Sequence, residues 1–261
     1  MKKYYFTFFF LLFYTVVSAT EPFRFVLFSD LHIAMANPQA SEDLMNAVRD
    51  VNSTRGVDFV LVDGDVSNLG DTASLIQARG ILQNLNIPFY VLPGNHDILW
   101  DSPAAGNFNL VFHSDKFCFD HKGFRFIGFA TAPLTRSGKA VVRKQDAWWI
   151  KKTLSQRKMP VFAVTHFPLA TGDVDNWKAI TDLLKKHDIR AVINGHYHRN
   201  VLLNFDGVPG IVCRSNLRSK TDEGGYTLFS VSDSMRVYEK KTGSPEELWL
   251  TLPLKTVKKQ E

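Results

Sequence analysis

Five short segments of this chain carry side chains suited to holding metal ions: Asp30-Leu31-His32, Gly64-Asp65, Gly94-Asn95-His96-Asp97, Thr165-His166 and Gly195-His196-Tyr197-His198. Aspartate and histidine are the usual donors for zinc, manganese and iron, and asparagine adds a neutral carbonyl oxygen. Two cations about 3.5–4 Å apart need a shared oxygen ligand, which a carboxylate can supply. Asp65 suits that place, because Gly64 lets the backbone turn tightly just before it. His196 and His198 share a face if their segment is extended, and from a loop they reach two neighbouring ions. The chemistry such a pair of ions performs is hydrolysis, since a coordinated water loses its proton near neutral pH.

Each segment follows a short apolar run: Phe25-Val26-Leu27-Phe28, Phe59-Val60-Leu61-Val62, Phe89-Tyr90-Val91-Leu92, Val161-Phe162-Ala163-Val164 and Ala191-Val192-Ile193. A buried strand that ends in a ligand is therefore a repeated event. Strand ends pointing one way gather these groups at one edge of a sheet, where open α/β sheets place ligands. The pattern predicts strands over Phe23–Ser29, Asp58–Asp63 and Pro88–Leu92. Between them it predicts a helix capped by Ser41, with Leu44, Ala47, Val48 and Val51 on one face, and a second helix over Asp71–Leu85. This β-α-β-α-β order implies a parallel sheet. Lys116–Asp120 and Phe124–Ala130 read as a hairpin, followed by a helix over Val142–Leu154, a strand over Val161–Thr165, a helix over Val174–His187 and a strand over Arg190–Asn194. Beyond His198 come short strands at Val201–Phe205, Gly210–Arg214, Gly225–Val231, Met235–Glu239 and Glu247–Leu252, with Asp206-Gly207 as a hairpin turn. Asp97–Phe112 and Pro133–Val141 read as irregular rim segments. Arg136, Ser137 and Lys139 are phosphate-contact candidates there, although a solvated loop is the better reading.

Taken alone, a Gly-Asp pair is a turn, and an isolated histidine such as His113, His121 or His187 is a surface or core residue. The ordered set Asp-x-His, Gly-Asp, Gly-Asn-His-Asp, His, Gly-His-x-His is different in kind. From about Arg24 to Tyr238 the chain resembles the calcineurin-like metallophosphoesterases. That resemblance implies a four-layer α/β/β/α sandwich of two mixed β-sheets flanked by helices. It implies Asp30, His32 and His198 as ligands of one metal ion, Asn95, His166 and His196 as ligands of a second, and Asp65 as the bridge. His96 is implied as the catalytic residue that faces the phosphate and protonates the leaving oxygen, with Asp97 orienting or polarising the site. The purple acid phosphatase subgroup carries an iron-binding tyrosine after Gly-Asp. Here that stretch reads Val66-Ser67-Asn68-Leu69, so an iron–tyrosinate site is not expected. Every ligand position of the pattern is filled, which argues against a scaffold that has lost its metals. Manganese, iron and zinc all suit the donor set.

The chain opens with Met1-Lys2-Lys3, an apolar stretch from Tyr4 to Val17 and the small-residue end Val17-Ser18-Ala19. These are the three parts of a secretory signal peptide, and the apolar stretch is shorter than the roughly 20 residues of a spanning helix. Residues 1–19 are read as a cleaved signal and residues 20–261 as one metallophosphoesterase domain, secreted or periplasmic, with no stable membrane insertion after cleavage. About 240 residues suffice for one large core. Loss of Lys2 and Lys3 lowers the formal charge from +5 to about +3. The basic run Lys255 to Lys259 reads as a solvated tail, so composition disfavours nucleic acid as a partner and leaves a small phosphoester as the substrate. Oligomeric state is left open. Cys118 and Cys213 permit one disulfide in an oxidising compartment, and two buried thiols are an equal reading. A nuclease, or a lipid-phosphate, sugar-phosphate or pyrophosphate hydrolase, are the alternatives within the same chemistry.

Overall fold

A computed structural model describes residues 21–99, 106–131, 139–221 and 223–254. The segment read as a signal peptide, the basic tail, Arg136 and Ser137 lie outside the described residues. Two six-stranded sheets form the body. The first sheet runs through β1 (Phe23–Phe28), β2 (Val57–Val62), β3 (Phe89–Val91), β10 (Gly225–Val231), β11 (Ser234–Lys241) and β12 (Glu246–Pro253), in the order β12-β11-β10-β1-β2-β3. Strands β1, β2 and β3 are parallel, as the alternation of strands and helices predicts, and β10 joins β1 antiparallel, so the sheet is mixed. The second sheet takes β4 (Lys116–His121), β5 (Phe124–Phe129), β6 (Val161–Val164), β7 (Ile189–Asn194), β8 (Val201–Phe205) and β9 (Val208–Val212), in the order β4-β5-β6-β7-β9-β8.

The central strands are apolar on both faces because both faces are covered. Phe25, Leu27, Phe59, Leu61 and Phe229 of the first sheet share one buried cluster with Phe126, Phe162, Val164 and Ile193 of the second. The alternate residues Val26, Phe28, Val60 and Val62 pack instead under helices α1 (Pro38–Ser53) and α2 (Thr72–Leu82). Ile127, Phe129, Ala163 and Val192 do the same under α5 (Lys144–Ser155) and α6 (Trp177–Leu184). This period-two division gives the four layers. Phenylalanines pin the two sheets together. Phe25 stacks on Phe229 with ring centroids 4.5 Å apart and on Phe59 at 5.2 Å, and Phe126 meets Phe25 edge-on across the interface at 5.2 Å.

Several expectations need correction. Helix α1 begins at Pro38, with Asn37 before it, and Ser41 is buried inside the helix instead of capping it. Proline at the first turn lacks only a donor that has no intrahelical partner there, so the helix starts earlier than the serine suggests. Helix α2, expected over Asp71–Leu85, spans Thr72–Leu82, and Asp71 caps it by accepting the Ser74 N–H at 2.8 Å. Among the described residues, Asp97–Phe112 takes in most of α3 (His96–Leu99) and all of α4 (Gly106–Phe112), the latter seated by buried Phe108 and Val111. With its two buried positions only three apart in a helix of 7 residues, α4 is too short to show a helical period. Asp206 and Gly207 both have positive φ and form the expected tight hairpin, which lets β9 start at Val208, two residues before the predicted strand. Cys118 is exposed on edge strand β4 while Cys213 is buried in the inter-sheet core, and both are free thiols.

Candidate metal centre

All the ligand candidates leave the carboxyl ends of parallel strands: Asp30 and His32 after β1, Asp65 after β2, Asn95 after β3, His166 after β6, His196 and His198 after β7. The loops are laced to one another. Asp30 N–H donates to Gly64 O at 3.2 Å, His32 N–H to Asp65 O at 2.8 Å, and Gly195 N–H to His166 O at 3.2 Å. Asp30, His32, Asp65, His196 and His198 all take left-handed backbone conformations, with φ between 47° and 69°. For residues with a Cβ each such conformation costs on the order of 1–3 kcal/mol and persists only where surrounding contacts enforce it. Gly64 has φ +137°, and a Cβ there would lie 2.7 Å from both Gly94 N and His166 Nδ1. The glycine is needed for close approach of three loops as much as for the turn.

The donor atoms gather in three overlapping groups, one of which brings His96 together with His32 and Asp65. Asp30, His32 and His198 present ligand atoms all within 4.8 Å of one another, and so do Asp65, His166 and His196. Asp65 Oδ2 lies 3.3 Å from His166 Nε2 and 3.8 Å from His32 Nε2, between these last two groups. Its other oxygen is occupied, since Oδ1 accepts the His96 N–H at 2.9 Å. On the first side His198 Nε2 is 3.2 Å from both Asp30 Oδ1 and His32 Nε2. Asn95 Oδ1 and both ring nitrogens of His166 are buried without a hydrogen bond. Buried polar atoms normally have partners, so Asn95 Oδ1 and a ring nitrogen of His166 are available to hold a cation. Charge makes the same demand. Asp30, Asp63 and Asp65 are all buried around His166. Burial opposes protonation of His166, but Asp65, Asp30 and Asp63 outweigh it and hold the imidazole up at about 10. Burial instead keeps His32 and His196 at about 4, so both rings are neutral donors at physiological pH.

His96 stands beside the donors without being one of the seven. Its Nδ1 lies 2.8 Å from Asn68 O, which makes Nδ1 the protonated donor and leaves Nε2 for a substrate. Its ring sits edge-on to His32 at 4.7 Å. Of its two expected roles, Asp97 fits the orienting one. Its carboxylate accepts from Val66 N at 2.9 Å, Ser67 N at 2.7 Å, Ser67 Oγ at 2.8 Å and Gly94 N at 2.9 Å, so it ties the loop after β2 to the loop after β3. Burial, with Asp65 nearby, pushes its carboxyl up to about 6 against the pull of those N–H donors. Asp97 is a positioning residue. Asp97→Asn replaces an acceptor by a donor facing N–H groups, and the protein should lose about 1.5–3 kcal/mol, read as a lower Tm.

Two contributors escaped the sequence reading. Ser29 donates its hydroxyl to Asp30 Oδ2, and Asp63 is a fully buried carboxylate whose burial pushes it well above the usual range. The signal for Asp63 was present: an acid between a buried strand and Gly64. Both back onto Gly195, where an added Cβ would lie 1.9 Å from Ser29 Oγ, 2.9 Å from Asp30 Oδ2 and 3.0 Å from Asp63 Oδ1. Gly195→Ala should therefore cost about 1–3 kcal/mol of stability by overpacking and weaken metal uptake through Asp30. Unchanged Tm and metal content in this variant would contradict the packing described. Of the rim candidates, Lys139 is exposed and pairs with Asp175 at 3.4 Å, in keeping with a solvated loop.

A parallel-strand edge bearing two donor groups around a shared carboxylate defines a dinuclear hydrolase of the two-sheet α/β class. Residues 23–200 match the family model described as calcineurin-like phosphoesterase, and the chain belongs to that family. It is 25% identical over 224 residues to a probable cyclic nucleotide phosphodiesterase of Ruthia magnifica subsp. Calyptogena magnifica, covering 78% of this chain and 93% of the relative. A UDP-2,3-diacylglucosamine hydrolase of Aeromonas hydrophila is 22% identical over 210 residues, covering 69% and 85%. Among solved structures, a dimetal phosphatase from Danio rerio superposes with a TM-score of 0.69 at 14% identity, over 89% of this chain and 99% of that one. The chain is thus a metal-dependent phosphoester hydrolase by family.

Proposed function

We propose that this protein is an exported phosphoesterase that hydrolyses small organic phosphomonoesters or phosphodiesters, nucleotides and cyclic nucleotides foremost. The observation that carries the dinuclear reading is Asp65 Oδ2, placed between His32 Nε2 and His166 Nε2. Asp30, His32 and His198 would hold one ion, Asn95, His166 and His196 the other, and Asp65 both. When bound, the ions supply positive charge at the phosphoryl oxygens and a water acidic enough to deprotonate near neutral pH. The chain supplies the rest. Asp65 fixes the spacing of the two donor groups, and Asn68 O fixes the tautomer of His96. His96 then holds a proton at Nε2 for the oxygen that leaves phosphorus. The names of the relatives favour nucleotide diesters, and the mild net charge disfavours a nucleic-acid groove. The test is metal-reconstituted turnover of bis-p-nitrophenyl phosphate, p-nitrophenyl phosphate, cyclic nucleotides and single-stranded DNA. Turnover of the small esters is expected, and DNA cleavage alone would overturn the substrate assignment.

The export half of the reading rests on residues 1–19. Intact mass of protein from its native host should show a chain starting at Thr20. A chain that still begins at Met1 and partitions with membranes would identify the segment as an anchor. Among the described residues, no helix is long and apolar enough to cross a membrane.

A further inference from the structure

We infer that Arg199 selects substrates carrying a second anionic group, a phosphate or a carboxylate, beyond the scissile phosphoester. This rests on the phosphoesterase reading above and specifies it. Arg199 directly follows His198, and Tyr197 lies between the two ligand histidines. The guanidinium carbon of Arg199 is 5.9 Å from the centre of the Tyr197 ring, and that ring is 6.0 Å from the His196 ring. Tyr197 is itself held, since its hydroxyl donates to Asp173 Oδ2 at 2.7 Å. Asp173 thus steadies a tyrosine, and the tyrosine seats a cation beside the metal donors. Such a cation–π contact holds the guanidinium without using its N–H donors.

Among the described residues Arg199 has no ion-pair partner, a state it shares with Arg49, Arg55, Arg79 and Arg236; what sets it apart is its place directly after His198. The site also opens on this side. The His198 side chain is 46% exposed, while those of Asp30 and His166 are fully buried. Arg199 is not among the candidate metal ligands and follows the exposed His198, so its guanidinium is offered to a group attached to the scissile phosphate and not to the metal-bound phosphate itself. A planar fork of donors is matched by phosphate or carboxylate oxygens. Lys139, a cation of the expected rim segment, is already paired with Asp175.

The test compares two substrates with the same leaving group, the p-nitrophenyl ester of thymidine 5′-phosphate with and without a 3′-phosphate, on the metal-loaded full chain. The wild-type protein should turn over both and favour the 3′-phosphorylated ester about 10-fold or more in kcat/KM, the size of one charge-assisted hydrogen bond. Arg199→Ala should lose that preference, mainly through KM, while the plain ester stays within about twofold and metal content is unchanged. Arg199→Lys should keep part of the preference, and added salt should erode it in the wild type. Equal losses on both esters would make Arg199 a prop for the metal donors and overturn the proposal, as would a wild-type protein with no preference. Failure of the wild type on the plain ester would refute the phosphoesterase reading itself, a result distinct from loss of the ratio.

Discussion

Asp65→Ala should lose both metal ions together and at least about 10³-fold in turnover, because charge stabilisation and the activated water depend on the same ions. Asp65 Oδ2 lies near a histidine of each donor group, 3.3 Å from His166 and 3.8 Å from His32, beside Asp30 Oδ1, which is 3.2 Å from His198 and 3.9 Å from His166. Its removal leaves Asp30, His32 and His198 on one side and Asn95, His166 and His196 on the other, each set without its common member. It also leaves the His96 N–H without the acceptor it meets at 2.9 Å, so the loop after β3 loosens too. His196→Ala should behave differently, weakening only the second position. Elemental analysis after chelation and refilling, with circular dichroism to check the fold, separates the two variants. Retention of one tightly held ion in Asp65→Ala would place the bridge elsewhere.

His96→Ala should keep both ions and lose roughly 10²–10⁴-fold in turnover, the usual size of general acid catalysis. Loss should be small for p-nitrophenolate, a stable anion that needs little protonation, and large for alkyl or ribose leaving groups. In the proposed role the transferred proton sits at a particular atom. Asn68 O engages Nδ1, so Nε2 is the one that meets substrate. A defect of equal size across leaving groups of different pKa would remove the acid role and leave His96 as a phosphate-binding residue.

Sequence and structure agree most closely where one chemical event recurs. A buried apolar strand followed by a metal donor announces both the strand and its polarity, and Phe25 to Phe28 with Asp30, or Phe59 to Val62 with Asp65, are legible on that ground. What could not be read is what depends on neighbours distant in sequence. Asp97 looks like part of the chemistry because it adjoins His96, yet Val66, Ser67 and Gly94 claim its carboxylate. Asp63 looks like the end of a strand, and only the packing of Gly195 against it and Ser29 brings it to the site. The face-to-face packing of the sheets followed from resemblance alone, since strands apolar on both sides do not say which face meets helices and which meets the other sheet. Helix starts at Pro38 and Gly106 were hidden because one has no side-chain cap and the other begins a helix of 7 residues.

The dinuclear centre is tested most directly by titrating chelated protein with manganese or zinc while following bis-p-nitrophenyl phosphate turnover and bound metal by elemental analysis. The arrangement of donors around Asp65 predicts saturation at about two ions per chain, with turnover rising until the second position fills. Full activity at a stoichiometry of one ion would contradict it.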